Sequence, residues 1–430
     1  MSVEMTAVSI FKITGLVLTP VLPLALAAAL WPRAWRRRVI RIAPWAALPA
    51  LVLAVVGPGM LLDLPWLFLG ARLGVDHVGQ VFLLFTATLW LVAGIYAQAS
   101  LAGDLCRSRF FAFYLLTMCC NLGLIVAQDA LSFYLFFALM SLSAYGLIVH
   151  KGNLQALRAG RVYILLVVVG EMLLFAGLVM GTWQADSLSI DEFSKTAQGD
   201  LVLGLLLAGF GIKAGALPLH VWLPLAHPAA PTPASAVLSG AIVKAGLLGW
   251  LRFLPLGQVA LPEWSALLTA AGLGAAVYGV LVGLFQNEPK TVLAYSTISQ
   301  MGLITASIGI GMGAPEIWPL CLSFTLILAL HHAFAKGALF LGVGVAAATG
   351  CATTQRRTVF AGLLVSALAL AGLPFTSGAV AKFGLKSLSY HLPAPWPVWT
   401  AVLLSLIAVG TTLLMARFLY VVWPRGTVQQ

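Results

Sequence analysis

Lysine side chains lie inside several long apolar segments of this chain. Lys213 falls in LVLGLLLAGFGIKAGAL and Lys244 in ASAVLSGAIVKAGLLGWL. An ionisable residue within a membrane helix is costly, and it usually faces the interior of a helix bundle or a water-filled cavity. Because burial disfavours the charged form of lysine, such a side chain can exchange a proton where an exposed lysine cannot. The two lysines therefore predict a path for protons or other cations.

The other ionisable groups predicted to lie within the membrane are few. Glu171, in VVVGEMLLFAG, is the only acid well inside a predicted helix, which makes it a functional candidate. Histidines can link lysines in a proton relay, so the predicted path comprises Lys213, Lys244, His332, Lys336, Lys382, Glu171, His220 and His331. For His220 and His227, capping of broken helices is an equal alternative. For Lys386, snorkelling towards lipid headgroups is an equal alternative.

The composition indicates a membrane protein. Of 430 residues, 61% are hydrophobic and only 9% are charged, whereas soluble domains carry about a quarter charged residues. The net charge of +11 comes mostly from short loops, so it does not suggest a nucleic-acid partner. The five cysteines show neither a CxxC pair nor zinc-type spacing with histidine, and no cofactor or metal site is expected.

Apolar segments long enough to span a bilayer number about thirteen. The sequence thus predicts an all-α polytopic membrane protein, with helices 7, 11 and 12 interrupted at Pro218, at His331-His332 and at Pro374–Gly378. The segments lie near residues 11–31, 42–61, 78–100, 109–127, 130–149, 161–183, 201–219, 234–254, 264–286, 292–311, 317–347, 358–390 and 398–422.

The charges of the loops predict the orientation of the chain. Basic residues concentrate in alternate loops, beginning with the arginines between 33 and 41, and such loops are usually cytoplasmic. This places the N-terminus outside and the C-terminus in the cytoplasm of a bacterial-type inner membrane. Residues 13–31 are expected to be a retained first helix, because the arginines follow the apolar run instead of preceding it. The polar stretch 181–200 is predicted to be an external loop with a short surface helix.

The domain organisation follows from the placement of the lysines. Lysine-bearing interrupted helices in different halves suggest an inverted repeat of helices 4–8 against helices 9–13. The predicted divisions are N-terminal helices 1–3 in residues 1–107, a first repeat in 108–255, a second repeat in 256–422 and a cytoplasmic tail in 423–430.

The stretch KAGALPLHVWLPLAHPAAPTPASAVLSGAIVKAG, residues 213–246, resembles the signature of a known family. This is the family of proton-conducting, antiporter-like membrane subunits of respiratory complex I, group 4 membrane-bound hydrogenases and multisubunit Na+/H+ antiporters. LSFYLFFALMSLSAY, LAYSTISQMGL, HHAFAKGALFLGVG and PFTSGAVAKFGLK agree with it in order and spacing. Of these, LAYSTISQMGL and HHAFAKGALFLGVG are most similar to the largest, distal subunit and its hydrogenase counterparts.

The resemblance implies two inverted five-helix repeats, with broken helices 7 and 12, and a hydrophilic axis through the membrane. It implies that Lys213 is the lysine of the first half, that Lys244 and His332 connect the halves, and that Lys336 or Lys382 serves the second half. Such subunits carry no redox cofactor. They move protons in response to chemistry in partner subunits.

The chain departs from the family pattern at the glutamate that usually pairs with the helix 7 lysine. Ala138 stands in its place, and Leu225 replaces a usual aspartate. About thirteen helices are expected here, where the family core usually has a fourteenth, and the long lateral helix of the distal subunit is not expected. We hypothesise that Glu171, on the neighbouring predicted helix, takes over as the partner of Lys213.

The leading functional prediction is a proton-translocating subunit of a multisubunit energy-converting complex, similar to complex I or to a hydrogenase. Its expected partners are other membrane subunits, membrane lipid and a soluble redox or enzyme module. An Na+/H+ antiporter subunit is one alternative. A non-pumping membrane scaffold for a soluble partner, as in inorganic-carbon uptake systems, is another. No redox chemistry of its own is expected, although it would belong to a proton-translocating oxidoreductase.

Overall fold

The structure is a computed structural model that describes residues 7–349, 353–392 and 396–423. Long apolar helices dominate these residues, as the composition predicts. The first nine helices are α1 Ala7–Ala28, α2 Arg36–Ile42, α3 Leu48–Val56, α4 His77–Ser100, α5 Arg107–Val126, α6 Ala130–Ile148, α7 Leu154–Ala185, α8 Ile190–Lys195 and α9 Asp200–Ala214. The short helix expected between residues 181 and 200 is confirmed as α8.

The second half of the chain is equally helical. Its helices are α10 Trp222–Ala229, α11 Thr232–Val237, α12 Val243–Phe253, α13 Pro262–Leu284, α14 Pro289–Gly313, α15 Trp318–Ala348, α16 Thr353–Ala371, α17 Ser377–Ser389 and α18 Trp396–Val422. Two 3₁₀ helices, Ala43–Ala47 and Pro315–Ile317, and one π-helix, Leu238–Ile242, interleave with them. Strands β1 Leu61–Leu64 and β2 Ala71–Gly74 form an antiparallel hairpin in which Leu61 pairs with Gly74.

Eleven helical segments in the described residues are long and apolar enough to cross a membrane. The predicted class, an all-α polytopic membrane protein, is confirmed. The predicted number of thirteen is not confirmed, and the difference has a structural reason. The seventh expected segment, near 201–219, contains only the 15-residue helix α9, and the twelfth, near 358–390, is divided between α16 and α17.

Both of these interruptions occur where the sequence predicts them. Helix α9 ends at Ala214, and residues 215–221 are not helical. Gly215 has φ +71°, a left-handed conformation that glycine adopts without strain. The second interruption separates Ala371 from Ser377, and it begins at Gly372 with φ +86°.

The third predicted interruption is wrong. Helix α15 runs without a break through His331 and His332. Histidine is only a moderate helix former, but it keeps its backbone N–H and imposes no clash on the preceding turn, unlike proline. Two polar side chains in an apolar run therefore mark a polar contact of the helix and do not end it. Lys336, one turn later, accordingly lies within a continuous helix.

Two compact units make up the chain. One comprises Met1–Ala214 with Ala229–Pro255, and the other comprises Gly215–Pro228 with Leu256–Gln430. In the first unit α9 packs against α7 and α12, and α7 also contacts α6. Gly209 permits the close approach of α9 to α7, because a Cβ atom there would lie 2.6 Å from Leu174 Cγ and 3.1 Å from the Gly170 carbonyl oxygen. In the second unit α15 packs against α14, α16 and α17. The predicted repeats and their inverted relationship stay predictions.

Candidate functional site

Lys213 lies in the last turn of α9, immediately before the helix is interrupted. Its side chain is buried, and its Nζ donates a hydrogen bond of 3.1 Å to the hydroxyl of Tyr163 on α7. The same Nζ lies 5.1 Å from the Tyr163 ring centroid and 5.8 Å from that of Phe137 on α6. Both distances are within the range of a cation–π interaction. The ammonium group is thus surrounded by aromatic side chains of two neighbouring helices.

Tyr163 extends this contact to α6. Its hydroxyl donates a hydrogen bond of 2.8 Å to the backbone carbonyl of Ser141, and the whole side chain is buried. A hydroxyl that donates to Ser141 and accepts from Lys213 has both its proton and a lone pair in use. Tyr163 therefore holds the ammonium in one position, and it could also pass a proton.

Glu171 lies on α7, eight residues after Tyr163, and is half-buried. The charges of Glu171 and Lys213 act on each other, while the Ser141 hydroxyl donates to the Phe137 carbonyl of its own helix at 2.8 Å. Glu171 forms no direct ion pair within the described residues, and its Oε2 atom is buried without a hydrogen bond there. The structure thus brings Glu171, Ser141, Tyr163 and Lys213 into one cluster, which we call the α6–α7–α9 cluster.

Lys244 is the second residue after the π-helix Leu238–Ile242 and is completely buried. Its Nζ donates a hydrogen bond of 2.6 Å to the carbonyl oxygen of Ser239 within that π-helix. A π turn is wider than an α turn, and such turns are frequent at functional sites. The local distortion of the helix therefore provides the lysine with an acceptor from its own backbone.

In the second unit, Lys336 on α15 is also completely buried. Its Nζ donates a hydrogen bond of 2.8 Å to the carbonyl oxygen of Leu293 on α14. The hydroxyl of Thr297 donates to the same oxygen at 3.0 Å. The ammonium is thus held against a helix backbone.

The paired histidines of α15 are buried as well. His331 Nδ1 lies 2.7 Å from the hydroxyl of Ser377, the first residue of α17. This hydrogen bond links α15 to the point where the second interrupted helix resumes. His332 is 1% exposed.

Lys382 lies on α17, next to the same interruption. Its Nζ donates a hydrogen bond of 2.6 Å to the carbonyl oxygen of Ala371, the last residue of α16. A cation is favoured at this position, because the last carbonyl groups of a helix carry partial negative charge. Lys386, one turn further along α17, is exposed instead.

His220 lies in the first interruption and is buried. Its Nε2 lies 3.3 Å from the hydroxyl of Tyr278, with the two rings edge to face at 5.0 Å. His227 is buried on α10 and stacks on Phe340, with 4.6 Å between ring centroids. These contacts place both histidines against aromatic side chains of the second unit.

Arg252 is a buried cation that sequence reasoning missed. Its guanidinium donates to the carbonyl oxygens of Leu124, Ile125 and Ala127, at 3.2, 2.7 and 2.7 Å, at the C-terminal end of α5. Its Nη2 also lies 3.2 Å from Asp76, the residue that caps the N-terminus of α4. Its position at the end of an apolar segment was the available signal. These contacts indicate a structural clamp between helix ends.

Tyr163 was missed too, because nothing in the sequence distinguishes it from other tyrosines in apolar segments. Among the described residues, no group of three or more histidine, cysteine, aspartate or glutamate side chains could hold a metal ion. The candidate chemistry therefore rests on the buried lysines, their tyrosine and histidine neighbours, and Glu171.

These features define a polytopic helical membrane protein with buried lysines beside interrupted helices. The family model described as "NADH:quinone oxidoreductase/Mrp antiporter, TM" matches residues 127–412, and the chain belongs to this family. The resemblance inferred from the sequence is thereby confirmed.

Comparison with individual proteins agrees with this family assignment. The chain is 29% identical over 345 residues to Hydrogenase-4 component B of Escherichia coli, covering 74% of this chain and 51% of that protein. It is 34% identical over 355 residues to the putative antiporter subunit mnhA2 of Staphylococcus saprophyticus, covering 74% of this chain and 44% of that protein. The chain thus spans about half the length of these relatives.

The fold is similar to that of a subunit in the structure of the Mrp complex from Dietzia sp. DQ12-45-1b. The TM-score is 0.82 at 22% sequence identity, and the match covers 94% of this chain and 79% of the other. Helix interruptions and buried lysines thus occur here on a fold known from a membrane complex.

Proposed function

We propose that this chain is a proton-translocating membrane subunit of a multisubunit energy-converting complex. The observation that carries the proposal is the hydrogen bond from the buried Lys213 ammonium to Tyr163, within the charge field of Glu171 and directly before a helix interruption. A buried ammonium beside a movable backbone can gain and lose a proton as its surroundings change.

The α6–α7–α9 cluster suggests how the proton is moved. An ionised Glu171 stabilises the Lys213 ammonium, since opposite charges attract strongly away from water. Protonation of Glu171 removes that attraction, so Lys213 then releases its proton more readily. The Tyr163 hydroxyl, which can accept from Lys213 and donate in turn, lies where this transfer begins.

The second unit offers a corresponding set of groups. Lys336 and Lys382 donate to the backbone carbonyls of Leu293 and Ala371, which favour the charged ammonium. His331 contacts Ser377 beside the second interruption. A shift of α17 would alter the contacts of both Lys382 and His331. We therefore assign Lys336, Lys382 and His331 to the same proton path, together with Lys244, His332 and His220.

The partners and the location of the chain are part of the same proposal. The relatives are named as a hydrogenase component and an antiporter subunit, and the similar structure is of a complex, so we propose other membrane subunits as partners. A soluble redox or enzyme module would then supply the energy. The loop charges support a bacterial-type inner membrane with the N-terminus outside and the C-terminus in the cytoplasm.

An Na+/H+ antiporter subunit is a second candidate, favoured by the 34% identity to a putative antiporter subunit. A non-pumping scaffold is a third, favoured by Ala138, which leaves α6 without the carboxylate expected there. The electrostatic interaction of Glu171 with Lys213 weighs against the scaffold, because Glu171 could then take the place of the missing carboxylate.

The test is transport by the assembled complex in sealed liposomes that contain a pH-sensitive dye. We expect coupled proton movement that persists without Na+ and that is lost in Lys213→Ala, with subunit assembly intact. The control is Lys195→Ala, which removes an exposed lysine from α8. A strict requirement for Na+ would support the antiporter. Wild-type transport by Lys213→Ala would remove Lys213 from the path and favour the scaffold.

A further inference from the structure

A cavity of about 690 Å³ lies between the C-terminal end of α1 and the N-terminal end of α5. The two helices pack against each other in the first unit. The apolar part of its lining comes from Ala27, Leu30 and Trp31, and the polar part comes from Arg36, Ser108 and Arg109. The lining of this cavity is therefore partly apolar and partly basic.

The basic part of the lining can bind an anion. Arg36 donates from Nε to the Leu30 carbonyl, and Arg109 donates from one Nη to the His150 carbonyl, which holds both guanidinium groups in place. Each guanidinium has five N–H groups, so several remain for a ligand. Within the described residues, no hydrogen bond is formed by the Ser108 hydroxyl or by the backbone N–H groups of Ser108 and Arg109.

These two N–H groups belong to the first turn of a 20-residue helix whose N-cap, Cys106, makes no side-chain capping bond. The first turn of a helix carries partial positive charge and favours phosphate. The carboxylate of Asp104 accepts from the Cys106 N–H at 2.6 Å and contacts His150 at 2.9 Å, so it does not take up the N–H groups of Ser108 and Arg109. Burial opposes ionisation of Asp104, but these bonds and the Arg109 charge lower its pKa.

The surroundings of the cavity fit the surface of a bilayer. Trp31 and Trp35 are 89% and 55% exposed, and Arg33, Arg37, Arg38 and Arg41 lie in the same loop and short helix. Exposed tryptophans are typical of the membrane–water interface, and basic clusters beside transmembrane helices attract anionic lipids. An acyl chain would lie against the apolar lining residues at and after the C-terminal end of α1.

We propose that this cavity is a binding site for one anionic phospholipid, whose phosphate is held by Arg36, Arg109 and the first turn of α5. The site lies apart from the buried lysines and does not depend on the proposed proton path. It would fix α1 and the basic loop against α5 at the membrane surface.

The test is lipid retention by the complex, purified in detergent and analysed by native mass spectrometry with phospholipid quantification. We compare the wild type with Arg36→Gln/Arg109→Gln and with Arg37→Gln/Arg38→Gln, which removes the same charge from exposed positions of the same segment. We expect phosphatidylglycerol or cardiolipin to stay bound in the wild type and the control, and retention to fall about tenfold or more in the first variant. Equal retention in all three proteins would overturn the proposal.

A second measurement distinguishes an anionic lipid from other ligands of the cavity. It uses only the wild-type complex, so it does not depend on the folding of the double variant. Delipidated wild-type complex is heated with phosphatidylglycerol, phosphatidylcholine or glycerol phosphate. We expect phosphatidylglycerol alone to raise the unfolding temperature. An equal rise with phosphatidylcholine would indicate no selectivity for anionic lipid, and an equal rise with glycerol phosphate would indicate a site for free phosphate. Either result, or a partner polypeptide cross-linked to Ser108→Cys in the cavity, would overturn the lipid assignment.

Discussion

The ammonium of Lys213 donates a hydrogen bond to the hydroxyl of Tyr163, with 3.1 Å between the two atoms. This contact joins α9, at its interruption, to the first third of α7, the helix that carries the half-buried Glu171. Since the Tyr163 hydroxyl in turn donates to the Ser141 carbonyl, the position of Lys213 is set by two other helices. Movement of α9 would change this bond first.

Replacing Tyr163 with phenylalanine removes the hydroxyl and keeps the ring. We expect proton movement by the complex to fall about tenfold or more, in line with the loss of a positioned proton-transfer group. The unfolding free energy should fall by only about 1 kcal/mol, the contribution of a typical hydrogen bond. The measurements are dye-monitored transport and thermal unfolding. Tyr134→Phe is the control, because within the described residues that hydroxyl forms a single hydrogen bond, to the Glu171 backbone carbonyl at 3.4 Å. Equal transport in the two variants would contradict a role for Tyr163.

Replacing Glu171 with glutamine keeps the shape of the side chain and removes its charge. If Glu171 replaces the carboxylate absent at Ala138, we expect coupled proton movement to be lost while the complex still assembles. Glu192→Gln, at an exposed position of α8, controls for the loss of one acid. Transport is measured in liposomes and assembly by co-purification. Wild-type transport by Glu171→Gln would show that the relocated carboxylate is not needed.

Lys382 and Lys386 form a matched pair on α17, one turn apart. Lys382 donates to the last carbonyl of α16, whereas Lys386 is exposed. We expect Lys382→Met to block proton movement and Lys386→Met to leave it unchanged, because only the first lysine is part of the interruption. Transport rates of the two variants, normalised to the amount of complex, check this. The opposite order would place the path one turn further along the same face of α17, at Lys386.

Arg252→Met should affect stability and leave the chemistry intact. The substitution leaves three buried carbonyl groups and Asp76 without their guanidinium partner. Each unsatisfied buried group costs about 1–3 kcal/mol, so a loss of several degrees in unfolding temperature is expected. Transport per assembled complex should remain near the wild-type level. Arg161→Met, on the exposed surface of α7, is the control. A specific loss of transport at unchanged stability would instead assign Arg252 to the ion path.

Most of the candidate site could be predicted from the lysines that lie within apolar segments of the sequence. Lys213, Lys244 and Lys336 stand out in the sequence because the surrounding residues cannot solvate an ammonium, and each is buried against a polar acceptor in the structure. The two real interruptions were predictable because glycine and proline act on the backbone itself.

Other features depend on contacts between distant residues, which no local pattern records. Tyr163 gains its importance from a lysine 50 positions later, and Arg252 from carbonyls about 125 positions earlier. The predicted helix interruption at His331-His332 is wrong for the same reason. The partner of His331 is Ser377, 46 residues away, and the pair of histidines marks that contact.

Helix α7 has 32 residues, so at 1.5 Å per residue it is about 48 Å long. The hydrocarbon core of a bilayer is about 30 Å thick, and helix tilt rarely exceeds about 40°, so part of α7 must project into the headgroup layer. Arg161 near its start and the exposed Trp183 near its end are natural anchors at the two water interfaces, and they are about 33 Å apart along the axis. Glu171 stands ten residues beyond Arg161 and twelve before Trp183. These anchors therefore place Glu171, the one acid of α7, close to the midplane of the membrane. About half of an electric potential across the bilayer would then fall on each side of its charge.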